Sequence, residues 1–288
     1  MSAVPAFFGE YQAMVAPELR RLVRADADAA VERSMAYTAL APSKQVRAVL
    51  LLLCAELCRG RVARAVPAAA AIELVHASSL ILDDLPSMDN APLRRGRKAN
   101  HLEFGEAVAI LAAFGLLNLA YATFAQSYEP PLAARLTALT ADAVGPAGLI
   151  GGQALDLLAT DRDITFEALE QIHRGKTGAL FVAAAASGAV IAGAAPDSVA
   201  ALTAYAKNLG LAFQIVDDLL DVQGNPQETG KAVRADARKT TFVSFSGIAG
   251  ARQLAGELCD TADRALAPFG AKADRLRDLS AFVAARRW

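Results

Sequence analysis

Two groups of aspartates are set into long apolar runs of this chain. The first reads Asp83-Asp84-Leu-Pro-Ser-Met-Asp89 and follows Ser-Leu-Ile-Leu; the second reads Asp217-Asp218-Leu-Leu-Asp221 and follows Phe-Gln-Ile-Val. Carboxylates beside apolar runs are costly to bury unless cations occupy the space between them. Their hard oxygens suit Mg²⁺, and Mg²⁺ held between two acidic clusters suits a polyphosphate.

Spacing refines this. Asp83 ends the apolar run 71–82, and Pro86 removes a backbone donor and would clash with the Leu82 carbonyl, so a helix must kink or stop there. Asp83, Asp84 and Asp89 are then presented at its mouth. Asp83 and Asp89 read as metal ligands, and Asp84 as a further ligand or a support behind them. Arg94-Arg95-Gly96-Arg97-Lys98 follows at once and supplies cationic donors. In the second cluster Asp217 and Asp221 share a helical face, about 6 Å apart along the axis, and read as a metal-binding pair, while Asp218 points elsewhere. Gln214, one turn earlier, can hydrogen-bond into the same assembly. Lys231, Lys239 and Arg234 or Arg238 then repeat the pattern of acidic cluster and cationic loop.

Other cations stand apart from the aspartates. Lys44 and Arg47 lie three residues apart at a helix start, where the dipole favours anions. His76 lies two turns before Asp83 on nearly the same face, which suggests a phosphate contact. Lys176-Thr177-Gly178 is another candidate phosphate contact, at the head of an uncharged helix. Gly152-Gln153 and Asp156 make a polar patch on an apolar helix, which would need partners if buried.

The elements that must position these residues are helices. Candidates cover about 4–37, 43–58, 65–83, 104–128, 132–144, 147–159, 165–173, 177–193, 197–221, 240–267 and 270–286, with breaks at Pro42, Pro67, Pro92, Pro130-Pro131, Pro146, Pro196 and Gly224-Asn225-Pro226. Alternating strand patterns are absent. Helices near 43–58 and 177–193 are apolar on more than one face and belong at the centre of a bundle or at a subunit interface. The 288 residues carry no low-complexity linker, so one all-α domain over 1–288 is expected, a large helical bundle around a deep cavity. With 29 basic and 30 acidic residues, no nucleic-acid-binding surface is indicated. The amino terminus lacks a basic-then-apolar leader, which favours the cytoplasm. The uncharged run Thr177–Pro196 is mostly Ala and Gly and reads as a buried helix, so no stable membrane insertion is expected. Cys54, Cys58 and Cys259 have no metal-ligand spacing; the first two read as buried thiols.

Together these segments resemble the trans-isoprenyl diphosphate synthases (polyprenyl synthetases), most of all bacterial geranylgeranyl diphosphate synthases. The resemblance rests on Ser43-Lys44-Gln45-Val46-Arg47, His76 through Asp89-Asn90, Leu93-Arg94-Arg95-Gly96, Gly151-Gly152-Gln153-Ala-Leu-Asp156, Lys176-Thr177-Gly178 and Phe213-Gln214-Ile-Val-Asp217-Asp218-Leu-Leu-Asp221, in the family's order over about 40–245. It implies the class I isoprenoid synthase fold, a homodimer, and head-to-tail condensation of an allylic diphosphate with isopentenyl diphosphate. By similarity Asp83, Asp89 and Asp217 hold three Mg²⁺, assisted by Asp84 and Asp221. Arg94, Lys176 and Lys231 take the allylic diphosphate's remaining oxygens, and Lys44, Arg47, His76 and Arg95 clamp isopentenyl diphosphate. Thr177 and Gln214 stabilise the allylic cation, and Asp218 counts with its cluster.

The chain departs from the family pattern in several places. Pro42-Ser43 stands for Gly-Gly, Gln45 for Arg and Ala113-Phe114 for Gly-Asp. The later loop carries Gly224-Asn225 and Lys231-Ala-Val-Arg234-Ala-Asp236 where Gly-Asp and Lys-Pro-Val-Gly-Lys-Asp are common. In the family an aromatic four or five residues before the first aspartate gives short products. Here Ser79 and Ser78 stand there, so the floor lies deeper, at Leu74, Val75 or Phe114, and a C20 product is expected. The alternatives are a C15 or longer-chain synthase, a class I terpene cyclase, a non-catalytic partner subunit, and a membrane or scaffolding bundle. A cyclase typically lacks the second clamp, a non-catalytic subunit would lose an acidic cluster, and a scaffold explains neither.

Overall fold

In a computed structural model the chain is described over residues 4–24, 26, 28–223 and 239–286. Among these residues the elements are α1 (Ala6–Leu22), α2 (Ala30–Ala39), α3 (Val46–Leu57), α4 (Val62–Asp83), a two-stranded hairpin of β1 (Leu93–Arg94) and β2 (Arg97–Lys98), α5 (Asn100–Phe104), α6 (Glu106–Ser127), α7 (Pro130–Val144), α8 (Leu149–Ala159), α9 (Phe166–His173), a π-helical turn (Arg174–Gly178), α10 (Ala179–Ile191), α11 (Pro196–Gln223), α12 (Phe242–Ala265), a 3₁₀ segment (Ala267–Ala273) and α13 (Asp274–Ala285). The architecture is the expected all-α bundle.

The two helices that are apolar all round lie at its centre. Val46–Ala55 of α3 and most of α10 are buried, and the two helices pack on each other. Gly188 permits the approach, since a Cβ there would stand 2.1 Å from the Leu51 carbonyl oxygen. Larger side chains would force the helices apart and open the alanine-rich core, where packing is as dense as in a crystal. Around this pair α4 packs against α3 and α6, and α11 against α10 and α12. The helices that carry the two acidic clusters, α4 and α11, both pack against α10. Cys54 and Cys259 are buried and Cys58 half-buried, all three as thiols. α4, α6 and α11 are long and apolar enough, by length and composition, to cross a membrane.

Three local readings are corrected. The first expected helix, 4–37, is two, because Asp26 and Asp28, poor helix formers, occupy the interruption between α1 and α2. Pro67 does not break α4. The Tyr128 hydroxyl enters the opened turn, donating to the Arg64 carbonyl at 2.9 Å and accepting from Ala68 N–H at 3.1 Å, so the freed backbone groups stay paired. The short hairpin was not expected. Leu93 pairs with Lys98 and Arg94 with Arg97, and the turn between uses left-handed backbone at Arg95 and Gly96 (φ 54° and 72°), as tight hairpins require.

Candidate active site

α4 ends at Asp83, short of Pro86 as expected, and the chain turns back so that Asp89 N–H bonds the Asp83 carbonyl at 3.0 Å. The Asp83 carboxylate accepts from Gln153 Nε2 at 2.8 Å and lies 3.3 Å from Lys176 Nζ and 3.7 Å from Arg94. Asp84 turns inward, is only 2% exposed, and takes the Arg94 Nε–H on both its oxygens. Asp89 accepts from Lys239 Nζ at 2.7 Å. Asp156 joins the two lysines, at 2.7 Å from Lys176 and 3.0 Å from Lys239.

Small residues make this junction possible. A Cβ on Gly152 would stand 2.1 Å from Lys176 N, so glycine lets α8 pack directly on the π-helical turn. That contact carries Gln153 and Asp156 from α8 to Lys176 and Asp83. Burial raises the Asp83 pKa, but Lys176, Arg94 and Lys239 outweigh it and hold the carboxyl below the usual range. Burial, with Asp83 nearby, leaves Asp89 raised. Burial lowers both lysines, but Asp83, Asp156 and Asp89 raise Lys176 on balance, and Asp156 and Asp89 raise Lys239.

On α11 the pair Asp217-Asp218 divides in the same way. Asp217 accepts from Arg286 Nη2 at 2.7 Å. Asp218 is buried; it accepts from Gln214 Nε2 at 2.9 Å and from Phe242 N–H, at the start of α12, at 2.9 Å. Gln214 Oε1 in turn accepts from the Thr177 hydroxyl at 2.8 Å. Asp221 lies one turn beyond Asp217, half-buried.

A second group of cations gathers where α3 begins. Arg47 is buried, with its guanidinium 4.7 Å from the Phe181 ring centroid and Nη1 3.5 Å from His76 Nε2. Glu73, one turn before His76, accepts from Ala48 N–H at 3.1 Å and contributes an opposite charge beside Arg47. Arg95 reaches the same corner and donates to the Ala41 carbonyl at 3.4 Å. Arg286 lies with its guanidinium 3.7 Å from the Phe213 centroid. Among the described residues the buried Nε–H groups of Arg47 and Arg286 have no hydrogen-bond partner. Burial first, and then Arg286, lowers Lys44 to about 8; burial lowers Arg47 to about 10.

The structure therefore brings Asp83, Asp84, Asp89, Arg94 and Lys176 together at the end of α4, links Thr177, Gln214 and Asp218 in one hydrogen-bonded chain, and gathers Lys44, Arg47, His76 and Arg95 with Asp217 and Arg286 near the start of α3. Lys231, with Arg234 and Arg238, lies outside the described residues. Ser78 is buried and donates to the Ala113 carbonyl at 2.8 Å, Ser79 bonds the His76 carbonyl, and Leu74 and Val75 are buried below them. Phe114 is a correction. It is 63% exposed, because α6 turns Ala109, Ala112, Ala113 and Leu116 inward and the helical period aims residue 114 away, so it lines no cavity within this chain. Asp156, Gln153, Glu73 and Arg286 join these groups, as does Lys239, which the sequence already placed among the cations after the second acidic cluster. The polar patch on α8 was the signal for the first two.

Among the described residues no three metal-ligating side chains converge on one point, and Lys176, Lys239, Arg94 and Arg286 lie against the carboxylates. The donor set is nonetheless all carboxylate oxygen, which fits a hard divalent cation. The two orphaned arginine donors fit an oxyanion.

Known proteins resemble this chain in sequence and fold. The chain matches the polyprenyl synthetase family over residues 28–260. It is 38% identical to the farnesyl diphosphate synthase of Geobacillus stearothermophilus over 99% of this chain and 98% of that one. It is 39% identical to the geranylgeranyl diphosphate synthase of Cyanophora paradoxa over 88% and 86%. Among solved structures, an FPP/GFPP synthase from Zymomonas mobilis superposes with a TM-score of 0.86 at 31% identity, covering 97% of this chain and 98% of that one. The geranylgeranyl pyrophosphate synthetase of Pyrococcus horikoshii gives 0.88 at 28% identity, covering 98% of each chain. With two acidic helix ends, a basic corner beside them and these relatives, the chain belongs to the polyprenyl synthetase family, the divalent-metal-dependent trans-prenyltransferases that condense isoprenyl diphosphates head to tail.

Proposed function

We propose that this chain is a geranylgeranyl diphosphate synthase, using Asp83, Asp89 and Asp217 to hold three Mg²⁺ against an allylic diphosphate. The observation that carries the reading is the separation of charge between a carboxylate-rich cluster at the end of α4 and a cation-rich one at the start of α3, with Asp217 of α11 set against the second. Asp84 fixes Arg94, and Asp221 assists on α11. The chemistry a divalent ion supplies there is neutralisation of the charge that develops on departing diphosphate. Lys176, Arg94 and Lys231 contribute to the same neutralisation.

Lys44, Arg47, His76 and Arg95 bind isopentenyl diphosphate, and Thr177 and Gln214, already bonded to one another, turn oxygen toward the allylic carbon as its bond to the leaving oxygen breaks. Apolar walls such as Phe213 and Phe181 exclude water from the cation. A carbon–carbon bond then forms to isopentenyl, and the released diphosphate accepts the proton that leaves.

Small residues at Ser78 and Ser79, with Leu74 and Val75 a turn deeper, support a C20 product. The exposed Leu111 and Phe114 on α6 support a homodimer that covers them. We treat residues 1–288 as one domain working in the cytoplasm.

Incubation with Mg²⁺, isopentenyl diphosphate and each allylic primer, followed by chromatography of the dephosphorylated products, tests this directly. A C20 alcohol is expected, and no condensation with any primer sinks the reading; a C15 or longer product corrects the chain length alone. Ser78→Phe then probes the floor. It is expected to shorten the product by at least one isoprene unit, and an unchanged product rules out a tail running past residue 78.

A further inference from the structure

We infer that Gln12 is a positioning residue for the isopentenyl diphosphate clamp, an inference that rests on the function proposed above. Lys44 and Arg47 flank the point where an irregular segment, 41–45, enters α3. That entry is strained: Gln45, immediately before α3, has left-handed backbone (φ 48°, ψ 40°), which L side chains avoid. Such a conformation persists where neighbouring structure holds it.

Gln12 on α1 provides the hold. Its Nε2 donates to both the Ser43 carbonyl, at 3.2 Å, and the Lys44 carbonyl, at 3.0 Å. These two carbonyls lie on either side of the Lys44 Cα, so fixing them fixes the direction in which the lysine leaves the backbone. Gln12 is itself firmly based. The preceding residue, Tyr11, donates its hydroxyl to Glu56 at the far end of α3 at 2.5 Å, and Arg275 of α13 donates to the Tyr11 oxygen at 3.0 Å. Phe8 packs on Phe282 at 4.9 Å between centroids, and Val15 and Leu19 are buried. α1 thus spans α3 from its last turn to the segment that feeds its first, and Gln12 transmits that support to the lysine. Its amide touches backbone carbonyls alone in the contacts it makes as donor, so its effect on catalysis passes through Lys44 and Arg47.

The test is steady-state kinetics of the full chain with Mg²⁺, varying each substrate separately. Gln12→Met keeps the size of the side chain and removes both donors. It is expected to raise KM for isopentenyl diphosphate about tenfold, the scale of two lost hydrogen bonds, with kcat and the allylic KM within about twofold. Gln12→His, whose Nε2–H reaches a similar place, should recover part of that loss. Unchanged KM in Gln12→Met, or KM values for both substrates rising together, would overturn the inference, as would a Gln12→His variant no better than Gln12→Met. If a chain with unmodified Gln12 condenses nothing, the proposed function falls and this inference with it. If it condenses normally while Gln12→Met matches it, the positioning role falls alone.

Discussion

At the end of α4, four carboxylates (Asp83, Asp84, Asp89 and Asp156) face three cations (Arg94, Lys176 and Lys239), and each charge lies within 3.3 Å of an opposite one. Around the start of α3 the balance reverses. Lys44, Arg47, Arg95 and Arg286 gather there against Glu73 and Asp217. The lysines register the contrast: Lys176 and Lys239 are raised on balance by surrounding carboxylates, whereas burial and then Arg286 lower Lys44. A region rich in anions accepts metal cations, and one rich in cations accepts an oxyanion. On the function proposed above, the first region would take its diphosphate through metal and the second through side chains.

Substitutions in the two regions are expected to affect different kinetic constants. Asp83→Asn removes a carboxylate from the anion-rich mouth and is expected to lower kcat about 10³-fold, the scale for one electrostatic group in a dry site, with little change in KM for isopentenyl diphosphate. Arg47→Met, in the basic corner, should instead raise that KM by about 100-fold, the value of charged hydrogen bonds to an oxyanion. Equal losses in kcat and KM from both variants would erase the distinction. Asp84 sharpens it in another direction, because its role is to hold Arg94. Asp84→Ala leaves that guanidinium buried with its main partner gone, at a cost of about 3–5 kcal/mol. Thermal or urea unfolding should show the loss directly, and an unfolding free energy within about 1 kcal/mol of the parent would mean that Arg94 holds its place by other contacts.

Much of the carboxylate cluster at the end of α4 was legible in the sequence, because a carboxylate in an apolar run has few bland explanations, and the helical period separates Asp217 from Asp218. Pro86 ended α4 for the reason read from it. What escaped was contact across distance. Asp156 gained its place only through Gly152, whose missing side chain brings α8 onto the π-helical turn. Arg286 meets Asp217 from far down the chain, and nothing local to either residue announces it. The same limit hid the Tyr128 hydroxyl that carries α4 through Pro67. Phe114 was misread because α6 is apolar on every side, and such a helix does not declare which face it buries.

The lowered Lys44 gives the contrast its smallest and most selective test. Burial, joined by the charge of Arg286 and opposed by Asp217, sets its pKa at about 8 in the substrate-free chain, so the cation is present below that pH and lost as pH rises through it. The charged form is the one that attracts a diphosphate. kcat/KM for isopentenyl diphosphate should therefore break near pH 8 and fall toward about tenfold per unit above it, since this constant reports the free enzyme. kcat should stay flatter, because bound diphosphate stabilises the ammonium. Lys176 and Lys239, raised by their carboxylates, keep their charge over the same range, so the allylic kcat/KM should have no break there. Lys44→Arg should move the break to higher pH, arginine holding its proton more tightly than lysine. Profiles for both substrates that break together near pH 8 would place the titrating group outside the basic corner and remove the physical basis for separating the two regions.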